Sequence, residues 1–250
     1  ILKSSKVDTT CMIFTYLDQE PEMSDKDLVL KHRLEKLCSI VPYHYANYGD
    51  YVKSVPPLLV KMSGFTHVMI LLDDVSLHDD FNLDRMLAVM KHNKLTVASP
   101  AIHGAHYWTT SVHNYTKPDG SKHDYFVGHI PAIIEVFATV FTYDGWECFY
   151  RLMKPKINSC GWGYDKLIRN ICERTIPDFQ IGILDEMKAT HNERFLKIAT
   201  PYKPIYAVNQ GCKKQEWYLG DILKTRQNLS NVDGGGHSFY LGRLKDLNEP

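Results

Sequence analysis

The chain has 250 residues and carries 29 lysine and arginine residues against 29 aspartate and glutamate residues, so its formal net charge is zero. This charge balance excludes a global electrostatic attraction to nucleic acid or to an anionic membrane surface. No run approaches the roughly 18 apolar residues of a membrane span, so no spanning segment is expected. The length is sufficient for one large α/β domain, and we predict a main domain over residues 1–200 with a C-terminal extension, 201–250, packed on it.

The six cysteines are scattered along the chain and form no C-x-x-C pair. Several lie in apolar helix or strand context, which favours buried free thiols over a disulfide framework or a zinc site. Unpaired cysteines are typical of the cytosol. The residues concerned are Cys11, Cys38, Cys148, Cys160, Cys172 and Cys212.

The N-terminal part alternates strand and helix patterns. A β-branched and aromatic run at 7–16 predicts the first strand. Apolar residues at helical spacing predict an amphipathic helix from 28 to 41, and a short strand is expected at 43–45. Pro56-Pro57 predicts a helix start, because proline is tolerated in the first turn, and Ser63-Gly64 ends that helix.

The apolar run that begins at His67 leads directly into Asp73 and Asp74. It predicts a strand buried on both faces, with two carboxylates at its C-terminal end. Asn82 predicts a helix cap, and a further strand runs from Leu95 until Pro100 ends it. The order β-α-β-α-β-α-β favours an α/β fold with a mostly parallel, Rossmann-type sheet flanked by helices.

Residues 103–123 form a long loop rich in aromatic, histidine and amide side chains, including Tyr107 and Trp108. Aromatic rings stack on sugar faces and amides bind hydroxyls, so this loop is a candidate substrate-binding segment. An ordinary surface loop remains the alternative, since long loops are functional in only part of the cases.

The second half continues the pattern. A strand is expected at 133–141 and carries one acid, Glu135. Thr142 predicts the cap of a helix whose aromatic stripe belongs to the core. The last conventional strand, 179–184, precedes Asp185 and His191.

Between these elements lies Gly161-Trp162-Gly163-Tyr164-Asp165, just before another helix. The glycines permit a backbone conformation that presents Trp162 as a pocket wall, with Asp165 at a helix start. The alternative is a turn in which Asp165 caps the helix.

Asp73, Asp74 and His191 therefore follow strands, where open α/β sheets bind ligands. Two carboxylates and a histidine can hold one Mg²⁺ or Mn²⁺ whose remaining ligands are diphosphate oxygens, and a separate carboxylate, Asp165, can deprotonate an acceptor hydroxyl. This division of labour is typical of a metal-dependent nucleotide-sugar glycosyltransferase. A helix cap or a solvated Asp pair is the alternative for Asp73-Asp74.

Three blocks also resemble a known family in order and spacing: 70–81, 95–101 and 134–191, with the Gly161–Asp165 motif as the most specific part. The chain resembles the domain-of-unknown-function family numbered 707, whose members are interpreted as glycosyltransferases with the GT-A fold. The resemblance covers about residues 65–192.

This resemblance implies a GT-A-like catalytic domain that uses a divalent cation and a nucleotide-sugar, with UDP as the expected carrier. Asp73 matches the first position of the Asp-x-Asp motif, but Val75 stands where its last carboxylate is expected, so the metal contact would pass to Asp74. Asp165 matches the catalytic base of an inverting enzyme, and His191 matches a metal ligand. Glu135 matches an acid on the acceptor side.

The remaining expectations concern substrates, alternatives and compartment. Thr15 and Tyr16, at the end of the first strand, are expected to contact the nucleotide with Asp73 and Asp74, while Trp162 and Gly163 contact a glycan acceptor. A catalytically degenerate domain that binds a nucleotide-sugar or a carbohydrate is the alternative, because of Val75. A nucleotidyltransferase would need a basic glycine-rich loop after the first strand, which is missing.

The compartment stays open between a secretory lumen, suggested by anchored family members, and the cytosol.

Overall fold

A computed structural model describes residues 5–15, 32–33, 35–42, 48–103, 126–192, 214 and 240–247. The strands are β1 (Cys11–Thr15), β2 (Cys38–Pro42), β3 (His67–Leu71), β4 (Val75–Leu77), β5 (Val97–His103), β6 (Phe126–Pro131), β7 (Ala138–Thr142), β8 (Ile181–His191) and β9 (Tyr240–Lys245). The helices are α1 (Tyr48–Lys53), α2 (Pro57–Met62), α3 (Leu83–His92), α4 (Tyr143–Leu152) and α5 (Tyr164–Cys172).

The main sheet has seven strands in the order β3-β7-β5-β8-β6-β9, and β4 pairs with the far end of β8. The predicted α/β class with a central sheet and flanking helices is confirmed. The sheet is mixed, however, and not mostly parallel: β5 and β8 are its one parallel pair among the described strands. The physical reason is β7, which lies antiparallel between β3 and β5 and contacts both.

The two strands at the N-terminus form a separate parallel sheet, β1-β2. Residues 38–42 are therefore strand, and the predicted helix ends well before residue 41. The apolar positions here satisfy both a helical and an extended pattern, and pairing with β1 decides between them. The predicted strand at 43–45 lies outside the described residues.

Two predicted strand ends shift because the ladder has a register irregularity. β5 continues through Pro100 to His103, since Pro100 lies where its pairing with β8 jumps from Leu184 to Lys188. Proline is tolerated at such bulges because it need not donate a ladder hydrogen bond there. Residues 185–187 form the bulge, and β8 runs on to His191.

The predicted helix starts are confirmed where local chemistry determines them. Asn82 accepts a hydrogen bond from the Arg85 amide at 3.0 Å, and Thr142 accepts one from the Gly145 amide at 3.3 Å. Pro57 occupies the first turn of α2, which ends at Ser63 and the left-handed Gly64. None of the helices in the described ranges is long and apolar enough to cross a membrane.

The larger core cluster lies between the sheet and helices α4 and α5. Trp146 and Phe149 of α4 are buried against Phe141 of β7, with ring centroids 5.7 and 5.1 Å from the Phe141 ring. The indole nitrogen of Trp146 donates to the Val55 carbonyl at 3.0 Å, so its one polar atom is satisfied. The aromatic stripe is core, as predicted.

The prediction of free thiols is wrong. Cys11 is bonded to Cys38, which joins β1 to β2, and Cys148 is bonded to Cys172, which joins α4 to α5. Cys160 is also disulfide-bonded. Each pair is separated by more than 20 residues, and spacing alone cannot show which residues the fold brings together.

Candidate functional site

Strands β3, β5 and β8 run in the same direction and end at one edge of the sheet. Asp73 and Asp74 follow β3, and His191 is the last residue of β8. The short strand β4 then pairs antiparallel with the end of β8, so that Val75 lies opposite His191. This pairing brings Asp74 beside a histidine that is 117 positions away in the sequence.

Asp74 and His191 form a close, partly buried pair. The distance from Asp74 Oδ2 to His191 Nε2 is 3.1 Å, and the two side chains are 15% and 13% exposed. The imidazole ring stacks on Phe137 with a centroid distance of 4.3 Å, and the Asn192 amide donates to the Asp74 carbonyl at 2.7 Å. Backbone and ring contacts therefore fix both partners.

The second carboxylate oxygen of this pair, Asp74 Oδ1, is buried without a hydrogen-bond partner among the described residues. A buried charged oxygen with no partner is costly, and one ordinary explanation is that the position binds an ion. Neighbouring ligands of an octahedral Mg²⁺, each at about 2.1 Å, lie roughly 3 Å apart, which agrees with the Asp74–His191 spacing. The pair therefore fits two positions of a divalent cation.

The rest of a cation shell would come from elsewhere. Within the described ranges, no three His, Cys, Asp or Glu side chains are grouped as a metal site. Asp73 is exposed beside the pair. Val75 is only 8% exposed and packs in a small core cluster with Ile102, so this departure from the Asp-x-Asp pattern is a core position in the fold.

The Gly161–Asp165 turn is built around Asn158, which is fully buried. Its side chain accepts from the Gly161 amide at 3.2 Å and donates to the Trp162 carbonyl at 2.6 Å. Gly161 and Gly163 have φ of 85° and 87°, which a residue with a side chain rarely adopts. The turn leaves Trp162 42% exposed, and its role as a pocket wall stays a prediction.

Asp165 lies in the first turn of α5, and the cap position of that helix is occupied by Gly163. The alternative in which Asp165 is the cap is therefore wrong. Its side chain is partly exposed beside the exposed Trp162. A carboxylate in this position can accept a proton from a bound hydroxyl.

Two tyrosines on α1, Tyr48 and Tyr51, were not predicted as part of the site. Burial raises the pKa of Tyr48, and the charge of Asp165 raises it further. Burial also raises the pKa of Tyr51, followed by the charges of Asp73 and Asp50. Positions three apart lie on one helix face, so this face of α1 lies beside both Asp165 and Asp73. The only sequence signal was the i, i+3 tyrosine spacing.

Of the other predicted site residues, one is buried and the rest lie outside the described residues. Glu135 lies in the segment before β7 and is only 2% exposed. Tyr16, Tyr107 and Trp108 lie outside the described residues, as does the side chain of Thr15. Their predicted roles stay predictions.

An open cleft of about 600 Å³ lies at the opposite edge of the sheet, with His67, Lys94 and Asp178 among its lining residues. None of the predicted site residues lines it. It therefore has no part in the Asp74–His191 site.

Comparison with known proteins gives a family and several solved structures, among them A197 and GalNAc-T7. The family described as "Protein of unknown function (DUF707)" matches residues 56–217. A197 from the virus STIV is 12% identical with a TM-score of 0.40, and the match covers 73% of this chain and 85% of that chain. GalNAc-T7, crystallised with UDP, GalNAc and Mn²⁺, is 8% identical with a TM-score of 0.47, and the match covers 88% of this chain and 52% of that chain. No curated protein matches.

Proposed function

The chain belongs to the DUF707 family, and from this premise we propose that it is a GT-A-like, metal-dependent, inverting glycosyltransferase. It moves a sugar from a nucleotide-sugar, with UDP as the carrier, to a hydroxyl of a glycan or another acceptor. The observation that carries the proposal is the Asp74–His191 pair with its unpartnered buried oxygen, at the strand ends where α/β sheets bind ligands.

In this proposal the donor diphosphate lies at the Asp74–His191 pair, and Asp73 contacts the nucleotide. The Asp74 carboxylate and His191 Nε2 are the groups that would hold Mn²⁺ or Mg²⁺, since Oδ2 and Nε2 are spaced as neighbouring ligands and Oδ1 has no partner among the described residues. The cation, when bound, neutralises the charge that develops on the departing diphosphate. The neighbouring Phe137 ring fixes the orientation of the imidazole.

The acceptor lies on the Trp162 side of the site. The exposed indole provides a flat surface for a sugar ring, and Asp165 accepts the proton of the acceptor hydroxyl. The hydroxyl oxygen attacks the anomeric carbon from the face opposite the diphosphate, so the configuration inverts. Placement of the two substrates supplies much of the rate.

The disulfides support a secretory lumen or another oxidising compartment as the location, because such bonds persist where thiols are not kept reduced. Alkylation of the native protein before and after reduction tests this proposal. Cysteines of the protein isolated from its own cell should react only after reduction. Reaction of Cys148 and Cys172 beforehand would contradict it.

A second candidate is a nucleotide-sugar-binding domain without turnover. The buried Val75, at the position of the last Asp-x-Asp carboxylate, favours it. It predicts binding of a nucleotide or a sugar that does not depend on metal.

A thermal-shift titration with UDP- and GDP-sugars, in Mn²⁺ and then in a chelator, separates the two candidates. The transferase should be stabilised by one nucleotide only when metal is present. Metal-independent stabilisation would favour the binding domain. No response to any nucleotide would contradict the transferase, and no response to free sugars either would contradict the binding domain as well.

The assignment of the base is tested by Asp165→Asn. Loss of a general base should lower transfer by about 10²- to 10⁴-fold, while donor binding measured by calorimetry stays nearly unchanged. Asp144→Asn is the matched control, because Asp144 occupies the first turn of α4 as Asp165 does in α5. Equal turnover in the two variants would refute the assignment.

A further inference from the structure

Tyr48, the first residue of α1, lies against the turn that carries Trp162 and Asp165. A Cβ on Gly161 would lie 2.3 Å from a ring carbon of Tyr48, so the ring packs directly on the glycine backbone. The next residue, Gly49, donates its amide to the Ser159 carbonyl at 2.9 Å. The start of α1 is thus docked on residues 159–161 through a side chain and through the backbone.

The hydroxyl of Tyr48 reaches a second segment of the site. It donates to the Val136 carbonyl at 3.4 Å. The following residue, Phe137, stacks on His191 and accepts a hydrogen bond from the Leu72 amide at 2.9 Å. One tyrosine side chain therefore contacts both the acceptor side and the metal side of the candidate site.

The protonation state of the Tyr48 hydroxyl is compatible with its donating a hydrogen bond to Val136. Burial and the neighbouring Asp165 raise the pKa of Tyr48 above the usual tyrosine range. The phenol is protonated at neutral pH, as an ordinary tyrosine is, and the shift extends this state to higher pH, so the hydroxyl can serve as a donor. It does so without placing a second negative charge near Asp165.

We propose that Tyr48 is a positioning residue that keeps the Asp165 turn and the Phe137–His191 segment at a fixed separation. The inference rests on the proposed glycosyl transfer. Transfer needs the acceptor oxygen in line with the donor bond, and a displacement of about 1 Å can cost roughly 100-fold in rate. Because Tyr48 acts through its neighbours, its loss should change turnover and leave donor affinity unchanged.

The variant Tyr48→Phe keeps the ring on Gly161 and removes only the hydroxyl. We expect kcat to fall about tenfold, a smaller loss than that of a 1 Å displacement, with the donor KM unchanged and the melting temperature lowered by only about 2–4 °C, the effect of one lost hydrogen bond. Tyr143→Phe is the matched control, since Tyr143 is a part-buried tyrosine at the opposite edge of the sheet. An unchanged kcat, or a rise in donor KM alone, would overturn the inference.

Hydrogen exchange gives a second readout that needs no activity. In Tyr48→Phe, amides of residues 136–140 and 159–166 should both exchange about fivefold faster, the factor expected from one lost hydrogen bond. The exchange rates of the α3 amides should not change.

If both segments respond but the wild-type protein transfers no sugar, the glycosyltransferase proposal fails and the Tyr48 coupling stands. If the wild-type protein transfers sugar but neither segment responds, the Tyr48 inference alone is refuted.

Discussion

The described part of the chain contains two histidine–aspartate pairs of nearly the same length, and they differ in their surroundings. His129 Nδ1 lies 3.0 Å from Asp185 Oδ2 inside the sheet, with side chains 0% and 10% exposed. His191 and Asp74, at the sheet edge, are 3.1 Å apart and 13% and 15% exposed. Of all four residues, only Asp74 has a buried side-chain oxygen without a partner among the described residues.

The interior pair is enclosed by strand packing. A Cβ on Gly128 would lie 2.0 Å from the Ile183 carbonyl oxygen, so β6 approaches β8 closely just before His129. Beside the pair, Arg85 holds the bulge by donating to Glu186 at 2.9 Å and to Asp246 at 3.2 Å. Within the described residues the enclosed pair has no buried side-chain oxygen without a partner and acts in the fold, whereas the unpartnered oxygen of the edge pair is the feature on which the proposed cation site rests.

The largest expected effect is on stability, at the interior pair. His129→Ala should lower the free energy of unfolding by about 3 kcal/mol, because it removes a fully buried imidazole that hydrogen-bonds the largely buried Asp185 carboxylate. Denaturant unfolding measures this change. The folded protein should still bind Mn²⁺. His92→Ala, at an exposed position of α3, is the control. If the variant were as stable as the wild type but no longer bound Mn²⁺, the His129–Asp185 pair would be the metal site and not a structural pair.

The edge pair should show the opposite behaviour. His191→Ala should weaken Mn²⁺ binding at least tenfold, or about 1.4 kcal/mol, while the metal-free protein should lose less stability than in His129→Ala, because the edge pair is more exposed. Calorimetric titration measures the affinity. His78→Ala is the matched control, because His78 is an exposed histidine that bonds Thr190 on the same part of β8. Equal affinities in the two variants would remove His191 from the metal site.

The smallest expected effect is an increase in the free energy of unfolding. Asp74→Asn should raise the free energy of unfolding of the metal-free protein by about 1 kcal/mol, because a neutral amide costs less to bury without a partner than a carboxylate does. Denaturant unfolding in a chelator measures it. Asp73→Asn, at the exposed neighbour, should change stability by less than about 0.5 kcal/mol. A loss of stability in Asp74→Asn would mean that Oδ1 is satisfied in the apo protein.

Much of the candidate site could be predicted from the sequence. Asp74 and His191 were predicted as metal ligands from their positions after strands, and the structure brings them together. Tyr48 could not be predicted, because its contacts with Val136 and Gly161 cross about 90 residues or more of sequence. Such contacts leave no periodic pattern in the sequence.

The sequence by itself determined the features that depend on near neighbours. The caps at Asn82 and Thr142 and the left-handed glycines around Trp162 follow from contacts within a few residues. Only the tertiary structure decided the antiparallel insertion of β7, the disulfide pairings and the β4–β8 pairing that joins Asp74 to His191. These depend on which distant segments pack together, because strand pairing and burial act between residues far apart in the chain.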